Sequence, residues 1–362
     1  SPAMFTIGFI FAIDKNHTNL KDNIIYSYSK QTVYIIILSV IIISSVYFHF
    51  IFSRIQSYYS INIWYTLRSI VWFEETKEIP LFNYPAIPIF LIPTILIFCF
   101  RKNPKSYFKY SAILISIIAL IWSLLSTSRT TTFTFITVTL MSQIIYGLNN
   151  NLMLSKAKRM TKRWIFISII LVLIVFIGVS MQKNPTAYGE VNKITFALKS
   201  LVNYTNLSSV AFVEWYKGGF ELRNGLNSFR LFYVVLQQFG LNVEVVNTTS
   251  GGLFINYNGF SSNAFTVARN YIEDFGIIYM SIILMLFGWI HGKAYKNALF
   301  SIGKKKIRYS IICGFLYVPL LYQILTDQYL NVISQWIQYV FWTYVLTYIL
   351  LPKKIIKLSN RQ

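Results

Sequence analysis

The residue types that most often carry chemistry are scarce in this chain. Among 362 residues there are three histidines, two cysteines and 12 acidic residues. His17, His49 and His291 are far apart, without the spacing of metal ligands. Cys99 and Cys313 lie in separate apolar runs, and two such thiols make neither a disulfide framework nor a zinc site. There is no G-x-S-x-G, no phosphate-binding Gly-rich loop and no Cys–His pair, so hydrolase and nucleotide-driven readings lack support. Charge is low as well, at 12% of residues, where soluble domains carry about 25%.

What is abundant is apolar. Hydrophobic residues make up 55% and mean hydropathy is +0.52, and the apolar residues gather in long runs. Spans of about 17–25 residues are expected near 32–53, 82–100, 110–126, 132–148, 164–181, 272–292, 309–325 and 331–351. A partial one at 1–13 brings the number to about nine. That first stretch lacks the basic segment of a signal peptide, and the expectation is a chain whose first helix is missing, ten spans in all. Pro85, Pro88 and Pro93 sit in the 82–100 run, which should be kinked or begin late. The fold class expected is an all-α polytopic membrane protein forming a single transmembrane domain over 1–362.

The net charge of +21 raises nucleic acid as a partner, but its placement argues for a membrane instead. Segments 14–31, 101–109, 149–163, 293–308 and 352–362 alternate correctly to lie on one side, and they hold two-thirds of the 33 Lys and Arg. Only Asp14 and Asp22 accompany them. This is the positive-inside pattern of cytoplasmic loops. Two segments then stand out on the opposite face. One is 54–81, with the acidic trio Glu74, Glu75 and Glu78, and the other is the long loop 182–271. Loops of that length are usually functional. Within it, "KITFALKSLVNYTNLSSVAFVEWYK" and "NSFRLFYVVLQQFG" have the spacing of amphipathic helices against a membrane surface. "NTTSGGLFINYNGFSSN" reads as a turn region.

Few external residues can act chemically. Arg129, in "LLSTSRTTTF", is placed where an arginine is costly, and such a residue by default marks a site for an anion. Arg223, Arg230 and Arg269 supply further guanidinium groups, which suit bidentate phosphate binding without a metal. Glu273 and Asp274 are neighbours before the 272–292 span and should point to different sides of a helix. Asp274, beside "FGII", is expected to be partly buried with a raised pKa, as a general base requires. Glu214 and Asp327 are the other candidate bases. No histidine lies in the external loops, and Asn, Gln, Trp and Tyr there, Asn263 and Tyr271 included, suit sugar recognition by stacking and hydroxyl hydrogen bonds.

Three pieces carry a family resemblance: Ser128-Arg129 at the outer end of a mid-chain span, "G-x-x-S-F" at Gly225–Phe229, and "N-A-F-T-V-A-R-N-Y-I-E-D-F-G-I" at Asn263–Ile277. With one long external loop, the chain resembles the O-antigen (oligosaccharide repeat unit) polymerases of the Wzy type, and through them the GT-C-like polymerase and ligase architecture. The opening Ser1-Pro2-x-x-Phe5 is similar to the start of that family's second span. The resemblance implies a glycosyltransferase in the bacterial inner membrane that works at the periplasmic face. It would transfer a growing glycan from undecaprenyl pyrophosphate to a new lipid-linked repeat unit, with no cofactor or metal. Asp274 or Glu214 would be the base, and Arg129, Arg223, Arg230, Arg269, Asn263 and Tyr271 would bind pyrophosphate and glycan. Its partners would be these lipid-linked oligosaccharides, membrane lipids and, where chain length is controlled, a chain-length regulator. The alternatives left open are a flippase or transporter of lipid-linked oligosaccharide, against which the long loop and lack of repeated halves speak, and an O-antigen ligase, whose loop histidine is absent here.

Overall fold

The computed structural model describes residues 2–13, 24–26, 30–57, 86–102, 105–125, 129–148, 206, 208–245, 255–257, 260–262, 267–322, 329–330, 332–351 and 355–357. In chain order the helices are α1 (Pro2–Ala12), α2 (Lys30–Ser57), α3 (Ala86–Lys102), α4 (Ser106–Leu125) and α5 (Arg129–Leu148). These are followed by α6 (208–217), α7 (Arg230–Gln238), α8 (Val267–Phe300), α9 (Gly303–Tyr322) and α10 (Ile333–Leu350). Among the described residues, four three-residue strands qualify the all-α expectation: β1 (Ile24–Tyr26), β2 (Ile255–Tyr257), β3 (Phe260–Ser262) and β4 (Ile355–Lys357).

Helices form where the apolar runs are, with instructive differences. Among the described residues α2, α4 and α8 are long and apolar enough to cross a membrane, and α1 and α3 are shorter apolar helices. The chain is therefore a helical, membrane-associated protein. α5, α9 and α10 occupy the runs near 132–148, 309–325 and 331–351; α5 is rich in threonine and α9 opens on "GKKKIR", which makes these two less apolar. The proline-bearing run begins late, at Ala86, and continues through Pro93. The run at 164–181 lies outside the described residues.

Both strand ladders are antiparallel. β1 pairs with β4, setting Ile24 opposite Lys357. That brings together two segments which the charge pattern assigns to one face. β2 pairs with β3 with Tyr257 opposite Phe260, and the two residues between them in sequence are Asn-Gly, the pair that most favours a tight hairpin turn. A plain turn region was expected there; the alternation around Asn-Gly was the signal for a hairpin.

The chain divides into two compact units. One comprises Asn16–Gly189, Asn297–Phe315 and Tyr339–Gln362. Here Trp122 stacks flat on Tyr47, with 4.0 Å between ring centroids. Thr94 shares a hydroxyl hydrogen bond of 2.9 Å with Thr139, and the Gln143 amide donates to the Thr94 carbonyl. Gly314 lies against the Val138 carbonyl and the Ser142 hydroxyl, where a Cβ would have no room. Between helices in lipid such small-residue contacts and hydrogen bonds supply the association, because hydrophobic burial no longer discriminates.

The other unit comprises Ser1–Lys15, Glu190–Lys296 and Leu316–Gln338. α1 packs on α8 backbone to backbone. A Cβ on Gly8 would collide with the Met285 carbonyl, one on Gly288 with the Phe5 carbonyl, and one on Gly292 with Phe9 and Ala12. Gly288 and Gly292 are four residues apart, the spacing that opens one face of a membrane helix to a close neighbour. His291 is buried against this contact, its ring 5.0 Å edge-on from Phe5 and its Nε2 3.1 Å from the Tyr329 hydroxyl. It is a packed residue.

α8 is two helices joined at a kink. At Gly276 the backbone takes φ 78° and ψ 171°, a conformation essentially confined to glycine. The part before it, 267–275, is rooted in a core of Ala211, Trp215, Val267, Tyr271 and Ile272. The part after it, 277–300, rises about 36 Å at 1.5 Å per residue, enough to cross a hydrocarbon layer of about 30 Å. The break falls where the sequence turns from polar to apolar.

Candidate functional site

The site is built on the outer piece of α8, by the loop that folds over it. α6 ends at Gly218, whose N–H donates to the Glu214 carbonyl, and Gly219 follows with φ 78°. The chain then runs along α8, pinned where the Arg223 N–H donates to the Glu273 carbonyl at 2.8 Å. It turns at Asn224 (φ 50°) and Gly225 (φ 87°). Gly225 is required twice over: its φ suits glycine, and a Cβ would fall 2.8 Å from the Phe229 ring.

The turn closes on two buried carboxylates. Asp274 is 3% exposed and Glu273 5%. Asp274 Oδ1 accepts from the Asn227 backbone N–H at 3.2 Å and from Asn227 Nδ2 at 3.0 Å, while Oδ2 accepts from the Ser228 N–H at 2.7 Å. The same Asn227 amide donates to Glu273 Oε2 at 3.1 Å. Phe229 then meets Phe275 edge-on at 5.7 Å. "G-x-x-S-F" and "E-D-F-G", about 46 positions apart in sequence, are thus the two halves of one joint.

Glu273 also draws the arginines in. Its Oε1 lies 3.6 Å from Arg223 Nε and 3.7 Å from an Arg269 Nη. The Arg269 guanidinium further sits 5.6 Å over the Trp215 ring, a cation–π contact. Beside this cluster opens a cleft of about 700 Å³ whose walls carry Trp215, Phe220 and Arg223 together with Glu214, Glu221, Glu244 and Glu273. Four carboxylates face one guanidinium. Glu214 is half exposed at the rim and pairs with Lys217 at 3.0 Å.

The geometry gives each expected site residue a place. Asp274 clamps the turn, both of its oxygens accepting from N–H donors. Glu273 does not point away from it; one amide with two hydrogens reaches both side chains from between them. Arg223 and Arg269 are committed to Glu273. A phosphate drawn to them would compete with that carboxylate for both guanidinium groups. Tyr271 is wholly buried, 6.0 Å from Phe287, and belongs to the core, out of reach of a sugar. Arg230 opens α7 and is not among the residues lining the cleft.

Glu214 is the one expected base that lines the cleft. Arg129 begins α5, but its side chain, like Asn263, Asp327 and the trio Glu74, Glu75 and Glu78, lies outside the described residues. Among the described residues no three His, Cys, Asp or Glu gather as metal ligands would. Sequence reasoning missed Trp215, Asn227, Glu221 and Glu244; with only 12 acids in the chain, two more in the external loop were a signal in themselves.

Chemically, the cleft offers aromatic rings beside carboxylates, the combination that takes a polyhydroxylated, uncharged or cationic ligand and resists an anion. The class defined so far is a helical membrane protein with an acidic, aromatic cleft at the mouth of a span. Compared with known proteins, the chain matches no family model, no curated protein and no solved structure.

Proposed function

We propose that the chain is a surface-polysaccharide polymerase of the inner membrane, which extends a glycan carried on undecaprenyl pyrophosphate at the periplasmic face. The observation that supports this best is the convergence of its two motif stretches, Gly225–Phe229 and Glu273–Gly276, on a cleft with the surface chemistry of a sugar site. In this reading the cleft holds the acceptor repeat unit. The acceptor hydroxyl attacks the anomeric carbon of the donor, its proton passing to Glu214. The bond from that carbon to the pyrophosphate oxygen breaks, and the lipid pyrophosphate leaves with the electron pair. Its growing charge needs a cation, a role the resemblance gives to Arg129, Arg223, Arg230 and Arg269.

The test is extension of lipid-linked repeat units by purified protein in proteoliposomes, followed as a ladder of products. Wild type should give the ladder, and Glu214→Gln should retain glycan binding but lose turnover, since the amide keeps shape without basicity. Absence of any ladder with intact protein and both lipid-linked substrates would remove the polymerase reading and leave the flippase. Transfer onto lipid A core alone would make the chain a ligase.

A further inference from the structure

α7 is a nine-residue helix with no buried residue. Phe232, Val235 and Phe239 follow one another at spacings of three and four, so they share one face. All three are exposed, Phe232 at 61% and Phe239 at 82%. Tyr233 stands on another face, and its hydroxyl donates to the Asn224 carbonyl at 3.2 Å, turning that side to the cleft wall. Arg230 and Gln237 lie on the Tyr233 side by the same spacing. α7 begins where the span begins: Phe229 touches Phe275, and past Gly276 the exposed side chains are Ile277, Ile278 and Tyr279, with Ile278 at 76%. These three belong to a helix long and apolar enough to cross a bilayer, where lipid would cover them. The stripe continues that surface.

We infer that α7 is docked in the lipid interface beside the 277–300 span, with Phe232, Val235 and Phe239 among the acyl chains, and that the Asp274 joint fixes the cleft to this anchor. The joint sits directly between the two: Asp274 and Glu273 hold Asn227 and Ser228, and α7 begins two residues later. The cleft is then held at headgroup depth, where a ligand tethered to a lipid presents itself and a soluble one does not. This inference does not depend on the polymerase reading.

The experiment uses the full chain in nanodiscs of phosphatidylethanolamine and phosphatidylglycerol. Single cysteines replace Phe232, Val235, Phe239 or Gln237 in a background without Cys99 and Cys313, and each carries a spin label. Collision with oxygen and with a water-soluble nickel chelate then gives depth. Labels at 232, 235 and 239 should lie about 5–10 Å below the phosphates, with that at 237 at or above them. Equal depth at all four, or a stripe shielded from both reagents as by a second copy of the chain, overturns the inference. For the joint, a pair of labels at Phe239 and Ile278 should give a narrow distance distribution that broadens in Asp274→Ala. Should that variant fail to fold, Asn227→Ala removes only the amide bridge and should broaden it less. A distribution unchanged in a folded joint variant would refute the coupling.

Discussion

Replacing Asp274 by Asn distinguishes a clamp from a base, and the structure sets the size of the effect. The carboxylate accepts three hydrogen bonds, two at Oδ1 and one at Oδ2. An amide has the same shape but a single acceptor. If its oxygen meets the Asn227 pair, its NH2 faces the Ser228 N–H; turned over, it faces two donors. Either way at least one buried N–H opposes another donor, and a bond to a charged acceptor becomes one to a neutral acceptor. Leaving a buried donor unsatisfied costs about 1–3 kcal/mol, and bonds to charged groups are worth about 1.5–3 kcal/mol against about 1 for neutral ones. The expected loss is about 2–4 kcal/mol, concentrated in the 225–229 turn. Hydrogen exchange followed by mass spectrometry on the full chain in detergent reads this directly. Peptides over 225–230 should exchange roughly 30-fold to nearly a thousandfold faster at every tenfold-per-1.4-kcal/mol conversion, while α4 is unaffected. If protection over 225–230 is unchanged and only turnover falls, the clamp is refuted and Asp274 returns as the base.

Arg129→Ala should abolish polymer formation without loss of expression, at a cost of about 3–4 kcal/mol in the transition state, and Arg129→Lys should restore little, because a point charge does not reproduce a bidentate fork; normal long-chain product from either would end the phosphate role. Gly288→Ala, which sets a methyl group against the Phe5 carbonyl, should lower stability in detergent by about 1–3 kcal/mol. Gly218→Ala, with its nearest neighbours at ordinary contact distance, should change it little, and equal thermal unfolding of the two variants would contradict the α1–α8 contact. Ladder formation should persist in EDTA; loss on chelation with recovery on adding a divalent ion would bring Glu74, Glu75 and Glu78 back as a metal site.

The helices were legible because membrane-length apolar runs are a strong signal, whereas the pairing of Ile24–Tyr26 with Ile355–Lys357 had no signal beyond the two segments sharing a charge pattern. Within the site, residue types were easier to read than partners. Helical spacing separates Glu273 from Asp274, yet it says nothing of a loop residue arriving from 46 positions away to bridge them. Tyr271 was read as a sugar platform because aromatic residues abound in the loop; the same abundance builds cores, and only the tertiary fold shows which face is covered. The break at Gly276 was masked because "FGII" also suits a continuous helix, in which an isolated glycine costs only about 1 kcal/mol.

In a chain with so few acids, burying two of them side by side at the mouth of a membrane span is expensive unless each is satisfied. Asp274 meets that cost with three N–H donors, and Glu273 with Asn227, Arg223 and Arg269. That satisfaction removes all of these groups from easy chemistry. What remains free to act is what lines the open cleft, above all Glu214, whose partner Lys217 is itself exposed and easily displaced. The most motif-rich stretch of the sequence is therefore the frame of the cleft, and the carboxylates left open there, Glu214 on α6 among them, lie outside that stretch.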